Sequence, residues 1–543
     1  MHEVSWIREW ATSVSNSHPK VEHSVQNYSR ESLILGDQPV PMRWHLALAL
    51  GVVLLAVVAH VLGSWIGPRG QAGFGMICFL GTAAACSSNL RRINLHTIGW
   101  GIALQVGFAL LVIKFEIAGR HPGRDALLWA TEAITKFLDF TDFGAQFVFG
   151  DLANRDKLEK VFGKPSFVFA FSALPAIIFV SSVFSLFHYL GVIQRLVAVI
   201  ATVMRFVMRT SGAETLAAVE NVFMGQSEAP LIVRPYVPEM TQSELLALMV
   251  GGMATLSGGM IAVYIRMGVD PVAILATGIM SAPCSLYVAK LLLPETLIPQ
   301  TSADAQPVLK TDHANALDAI ATGASTGMKL AINIAAMLIA FLAFIAMLDY
   351  LLGLIVQGLS LQKIFSFLFS PIAVLIGAGP NGVAPVADLL GTKLVANEFV
   401  AYVQMTKEYP AELIGQRPFI LATYALAGFA NFSSIGIQLG AMSAMAPTRQ
   451  GDFAVLCWRA LLGGFLATLL NASIAGMLLP TGEDDEQVPA RRIVVVGTRV
   501  VVGAERAGLR YCSDENSEIV GEIRPIWQTD ALTFSEWGLK LYD

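Results

Sequence analysis

The feature that most constrains this chain is a succession of apolar stretches about 20 residues long, such as Trp44 to Ile66 and Ala460 to Leu479. Each suffices to carry a helix across a hydrocarbon core of about 30 Å. In lipid every backbone N–H and C=O must find its partner inside the chain, so a sequence made of such stretches folds as a helical bundle. Composition agrees: 55% of the 543 residues are apolar and 14% charged, whereas a soluble chain carries about 25% charged residues.

The expected fold is an all-α polytopic membrane protein with about nine spanning helices, near 45–66, 71–88, 97–114, 167–190, 244–264, 271–293, 330–357, 418–446 and 453–479. Asp125 to Phe149 alternates aromatic and charged residues and reads as a helix lying on the membrane surface. The first 41 residues are polar and lack a signal-peptide pattern, so the first span is expected to be its own insertion signal. Arg91 and Arg92 in a short connector, with Arg195, Arg205, Arg209 and Arg449, predict a cytoplasmic N-terminus and an extracytoplasmic C-terminus. A net charge of −5 offers no basic face to nucleic acid. Four of the five cysteines lie in apolar runs without CxxC spacing, which indicates neither a disulfide framework nor a zinc site.

Two segments, near 210–237 and 371–399, are apolar yet broken by Gly and Pro, and each holds a carboxylate, Glu228 and Glu398. Bent backbone at membrane depth persists only where protein or a wet cavity satisfies it, so both are expected to be re-entrant hairpins. Gly252-Met253-Ala254-Thr255-Leu256-Ser257 and Gly428-Phe429-Ala430-Asn431-Phe432-Ser433 share the pattern Gly-x-Ala-x-x-Ser, 24 and 30 residues after those glutamates. Hairpin followed by broken helix thus occurs twice, as an inverted repeat, and paired interruptions of this kind point to a transporter's midplane site. The substrate is expected between Glu228 and Glu398.

Plainer readings exist for each feature. Gly-x-Ala-x-x-Ser also serves close helix packing, and Asn431 or Ser434 alone could bond a neighbouring helix. Each glutamate could be a structural ion pair, Glu228 with Arg234 or Glu398 with Lys393. A charge at bilayer depth costs about 2.5–3.5 kcal/mol, which favours a functional reason for keeping it there. His60 and His188 lack ligand partners in sequence and read as structural.

Several stretches resemble signatures of the concentrative nucleoside transporter family: Ser87-Ser88-Asn89 with Ile93-Asn94-Leu95, Gly225-Gln226-Ser227-Glu228-Ala229-Pro230-Leu231, Leu389-Leu390-Gly391-Thr392-Lys393 with Asn397-Glu398-Phe399-Val400-Ala401-Tyr402, and Gly428 to Ile435. The resemblance implies a homotrimer in the cell membrane that moves nucleosides of the uridine, cytidine and adenosine class by an elevator-type step, coupled to Na+ or H+, without a cofactor. It implies that Gln226, Ser227 and Glu228 face the nucleobase, that Glu398, Asn431 and Ser434 hold the ribose, and that Phe429 packs on the nucleoside. It implies a sodium site of main-chain carbonyls at Asn221, Met224, Thr255 and Leu256, with the Thr255 hydroxyl. The chain departs from the family at Gly377 to Gly382 and at Ala387-Asp388, which bear on the hairpin tip.

The expected organisation is a polar segment at 1–43, N-terminal spans with the surface helix at 44–164, a transport core at 165–481, and a polar tail at 482–543 of no assigned function. That tail has a Val-rich, strand-like stretch at Arg492 to Val502. A symporter of another small polar solute uses the same fold with a different pocket. An intramembrane enzyme needs a nucleophile with a base or a metal set, which the sequence does not supply, and a channel has no need of two inverted acidic hairpins.

Overall fold

The computed structural model describes residues 40–117, 119–154, 157–158, 169–226, 228–299, 313–481, 493–496 and 499–502. The helices are α1 Met42–Val61, α2 Gly63–Ala85, α3 Leu95–Ile113, α4 Pro122–Phe149, α5 Phe169–Tyr189, α6 Val192–Met208, α7 Gly212–Glu220, α8 Gln242–Ala254, α9 Gly258–Arg266 and α10 Pro271–Leu292. They continue as α11 Ala316–Ile355, α12 Leu361–Leu375, α13 Val383–Val395, α14 Glu398–Glu408, α15 Ala411–Ile414, α16 Gln416–Leu426, α17 Phe432–Met445 and α18 Gln450–Leu478. In the tail, β1 Ile493–Val496 pairs antiparallel with β2 Arg499–Val502, Ile493 opposite Val502.

Many helix starts are written locally. Asn94, Ser211, Thr241, Ser257, Asp270, Ser360, Asn397 and Asn431 each accept a hydrogen bond from an N–H of the first turn they precede. Such caps satisfy donors that the helix itself leaves open. Two of them, Ser257 and Asn431, restart the broken spans: α8 and α9 are separated by Thr255–Ser257, and α16 and α17 by 427–431.

Among the described residues six helices are long and apolar enough to cross a membrane, counting α8 with α9 as one, and a seventh if the pair α5 and α6, bent by 72°, is taken together. The nine expected segments include α2, which bends at Gly67 (φ 63°, ψ 177°) just before Pro68, and the span at 418–446, which is two short helices. The segment expected at 330–357 is the far longer α11. Asp125 to Phe149 lies in α4, which buries Leu127, Leu138, Thr141 and Ala145 and exposes Phe140, Phe143 and Phe147.

The repeat extends further than the two motifs. A long helix, an amphipathic helix, a hairpin, a broken span and an unbroken span follow one another twice, as α5 to α10 and as α11 to α18. The long helices α5 and α11 pack on each other, as do the unbroken spans α10 and α18, with α8 against both. Equivalent corners close the halves: Ser243 Oγ donates to Leu293 O at 2.7 Å, and Arg417 Nη1 donates to Leu479 O at 3.0 Å. The interior is α8, α9, α10 and α18, whereas α1 and α11 are mostly exposed.

The second hairpin differs from its expected bounds of 371–399. Pro371 lies inside α12, and the Gly377 to Gly382 stretch is the turn between α12 and α13, with positive φ at Gly377 (78°) and Gly379 (76°). The hairpin arms are α13 and α14, and the tip is Ala396-Asn397. Glycine supplies those positive φ values without a Cβ penalty, so the Gly-rich stretch is a chain reversal rather than a tip.

Candidate substrate and cation site

The first hairpin begins with a capping box, in which Ser211 and Glu214 satisfy each other's backbone N–H. After α7 no α-helix forms until α8; the return runs through 3-10 turns at Ala229–Val233 and Val237–Glu239, where Pro230, Pro235 and Pro238 remove donors. The tip lies against the broken spans, since Gly258 N donates to Phe223 O at 2.9 Å. A Cβ at Gly258 would stand 3.2 Å from Phe223 O of the hairpin and 2.7 Å from the Phe184 ring of α5, and one at Gly252 would stand 2.7 Å from Gln438 Nε2 and 3.0 Å from Gln226 Cβ. These glycines let hairpin and span touch.

At the second tip Asn397 caps α14 and puts Glu398 in its first turn, where the helix N-terminus favours an anion. Glu398 is 5% exposed. Its Oε2 accepts from Asn431 Nδ2 at 3.0 Å and its Oε1 from Tyr264 OH at 3.3 Å. The plainer alternative, an ion pair with Lys393, is not formed: that ammonium donates to Ala425 O at 2.8 Å and Thr468 Oγ1 at 3.0 Å.

A chain of hydrogen bonds joins the two tips. Gln226 Nε2 donates to Ser434 Oγ at 3.2 Å, Ser434 N donates to Asn431 Oδ1 at 2.9 Å, and Asn431 Nδ2 donates to Glu398. Of the anticipated residues, Gln226, Glu398, Asn431 and Ser434 are therefore brought together, and Phe429, on the 427–431 break beside Asn431, is partly buried. Ser227 lies outside the described residues. Glu228, with Met224, Ser257, His188 and Arg234, lines a cavity of about 650 Å³ bounded by the hairpin, α5, α9 and α11. Glu398 is not among the residues that line that cavity; it stands at the end of the buried hydrogen-bond chain that starts at Gln226.

The anticipated cation ligands lie at the end of α7 and at the break after α8, two segments in contact where Gly258 N donates to Phe223 O. Asn221 is fully buried, its Nδ2 donating to Ala217 O at 2.9 Å, while its Oδ1 has no partner among the described residues. Thr255 is extended (φ −118°, ψ 164°) and its hydroxyl donates to Gly251 O at 2.9 Å. Among the described residues no N–H donates to the carbonyls of Asn221, Met224, Thr255 or Leu256. Oxygen donors freed at a broken helix suit a hard monovalent cation better than a transition metal.

Tyr264 and Gln438 were missed by the sequence reading. Gln438 is fully buried, its Nε2 donating to Met249 O at 3.0 Å, and its Oε1 has no partner among the described residues. The available signal was a polar group on an otherwise apolar half-span, one turn beyond Ser434 in the case of Gln438.

Residues 74–152, 170–270 and 273–476 match family models described as the Na+ dependent nucleoside transporter N-terminus, nucleoside recognition, and the Na+ dependent nucleoside transporter C-terminus. The sodium/nucleoside cotransporter 1 of Rattus norvegicus is 39% identical over 458 residues, covering 80% of this chain and 68% of that one. An uncharacterized transporter of Haemophilus influenzae is 39% identical over 420 residues, covering 75% of this chain and 97% of that one. A solved structure of CNTnw in an inward-facing, substrate-bound state superposes with a TM-score of 0.71 at 38% identity, covering 75% of this chain and 97% of the other. With a helical inverted repeat and buried polar hairpin tips in place, this chain is an integral membrane protein of the Na+-dependent nucleoside transporter family, a transporter and not an enzyme.

Proposed function

We propose that the protein is a sodium-coupled nucleoside symporter working by an elevator-type movement, as a homotrimer in the cell membrane with its N-terminus cytoplasmic. The observation that carries this reading is the hydrogen-bond chain from Gln226 through Ser434 and Asn431 to Glu398. A ribose offers vicinal hydroxyls that a carboxylate and an amide can bind together, and a nucleobase offers edges suited to Gln226, Ser227 and Glu228. Phe429 supplies an apolar surface for the nucleoside. Sodium held by the carbonyls of Asn221, Met224, Thr255 and Leu256 would order the first hairpin, and coupling requires that each ligand bind better when the other is present. The names of the relatives, sodium/nucleoside cotransporters, favour Na+ over H+.

Proteoliposomes given labelled uridine or adenosine under an inward Na+ gradient, an inward H+ gradient or neither test this directly. Accumulation is expected with the Na+ gradient and is expected to vanish in Glu398→Gln. Uptake by that variant equal to the parent would end the ribose assignment, and accumulation driven only by H+ would end the sodium assignment.

A further inference from the structure

The proposed pocket depends on where the first hairpin stands, and its base is held by a buried ion cluster outside the site. Lys290, near the end of α10, is 8% exposed at its side chain, with Nζ 2.7 Å from Glu214 Oε2 and 3.3 Å from Glu295 Oε2. The same ammonium donates to Ser243 Oγ at 2.9 Å, and that hydroxyl donates to Leu293 O. Glu295 accepts from Thr241 Oγ1 at 2.7 Å, and Glu244 completes the capping box at Thr241. One cation thus ties the start of α7, the start of α8 and the segment after α10.

Fold stability alone does not call for this. A buried ion pair is often no better than apolar packing, because desolvation offsets the attraction. At the equivalent corner of the second repeat the Arg417 guanidinium donates to Gly377 O at 3.0 Å, Gly476 O at 2.7 Å and Leu479 O at 3.0 Å. In the first corner the cation holds Glu214, a side chain of α7. Asn221 follows seven residues later, about 10 Å along the helix axis. It sits where a Cβ on Gly251 would be only 2.9 Å from its amide nitrogen, so α7 has little room to slide.

We propose that Lys290 is a positioning residue for cation and nucleoside binding: through Glu214 it fixes the height and rotation of α7, and so the placement of Asn221 and of the tip at Gln226. The inference rests on the symport reading for its ligands. It assigns Lys290 a part in affinity, beyond a part in folding.

The test uses the full-length protein, purified and reconstituted, with Lys290→Met, Lys290→Arg, Glu214→Gln and the double variant Lys290→Met/Glu214→Gln. Lys290→Met and Glu214→Gln are each expected to raise the half-saturating sodium and uridine concentrations about tenfold, the scale of one lost tie to a charged group. The maximal rate per folded transporter changes less than the half-saturations do. Lys290→Arg recovers most of the loss, and the double variant is no worse than either single one, because both changes cut the same tie. Parental half-saturation with only fewer folded molecules would mean a structural role and overturn the proposal. Should Lys290→Met not fold, Lys290→Arg and Glu214→Gln decide it, and parental values in both overturn it. Hydrogen–deuterium exchange of peptides from 212–239 in sodium gives a readout independent of transport: faster exchange in Glu214→Gln supports the clamp, and unchanged exchange overturns it. If the parent takes up no nucleoside under any gradient, the symport reading fails while the exchange result still judges the clamp.

Discussion

At the scale of single residues the decisive group is Glu398, where the two halves of the repeat meet. Its two hydrogen-bond donors come from different halves, Tyr264 from α9 and Asn431 from the N-cap of α17. A carboxylate held by two neutral donors keeps capacity to accept more, because its oxygens offer about four lone-pair sites. That spare capacity suits a diol ligand. In the proposed pocket the Tyr264 hydroxyl would fix the carboxylate before a ligand arrives, and a hydrogen bond to a charged group contributes about 1.5–3 kcal/mol. Tyr264→Phe keeps the ring, which packs 4.4 Å from the Tyr402 ring centroid, and removes only the hydroxyl. Uridine affinity measured calorimetrically in sodium chloride is expected to fall about tenfold with the melting temperature little changed. An unchanged affinity would take Tyr264 out of the site.

At the scale of elements the argument concerns how closely the first hairpin approaches the broken spans. Gly252→Ala pushes a methyl group against Gln438 Nε2 and Gln226 Cβ, at 2.7 Å and 3.0 Å. Overpacking of this kind costs about 1–3 kcal/mol, so thermal unfolding in detergent should begin at a lower temperature and sodium-driven uptake should drop. Gly436, on the exposed side of α17, has nothing within 4 Å of its would-be Cβ. Gly436→Ala should be neutral or raise stability by up to about 1 kcal/mol, since alanine loses less backbone entropy in a helix. Similar losses in both variants would refute the close-approach account. The repeated Gly-x-Ala-x-x-Ser, with Ser257 and Asn431 as caps, made the broken spans legible because breaking and recapping a helix are local events. The second hairpin was misplaced because Pro371 looked like the break, whereas the positive φ of Gly377 and Gly379 makes the turn and Asn397 marks the tip. The amphipathic helices α6 and α12 went unassigned, being too short and too mixed to pass as spans. Contacts such as Lys290 with Glu214 or Tyr264 with Glu398 join residues 76 and 134 positions apart, and no local pattern announces them.

At the scale of the whole molecule, an elevator requires that the packed core move as a body against a frame. The core has the cohesion for it. Gln105 Nε2 donates to Asn471 Oδ1 at 2.6 Å, Asn471 Nδ2 donates to Ser281 Oγ at 2.8 Å, and Tyr287 OH donates to Gln105 Oε1 at 2.6 Å, so α3, α10 and α18 share one satisfied polar network. Satisfied buried networks make helices rigid partners, and rigid bodies slide or rotate rather than deform. The candidate frame is the pair α5 and α11, long, mutually packed and largely free of polar ties to the core. Their meeting line with the core includes Val180 on α5 and Gly259 on α9, where a Cβ on Gly259 would lie 3.3 Å from Val180 Cγ1. Cysteines at both positions, in a background lacking the five native cysteines, lie within disulfide reach. If the core moves past α5, oxidising the Val180→Cys/Gly259→Cys pair should stop sodium-driven uptake, and reductant should restore it. Val180 and Gly259 also line the cavity at Glu228, so uridine binding by the oxidised protein separates a blocked movement, in which binding is kept, from an obstructed cavity, in which it is lost. Full uptake by protein shown to be cross-linked would mean that α5 and α9 travel together, and the boundary between frame and core would have to lie elsewhere.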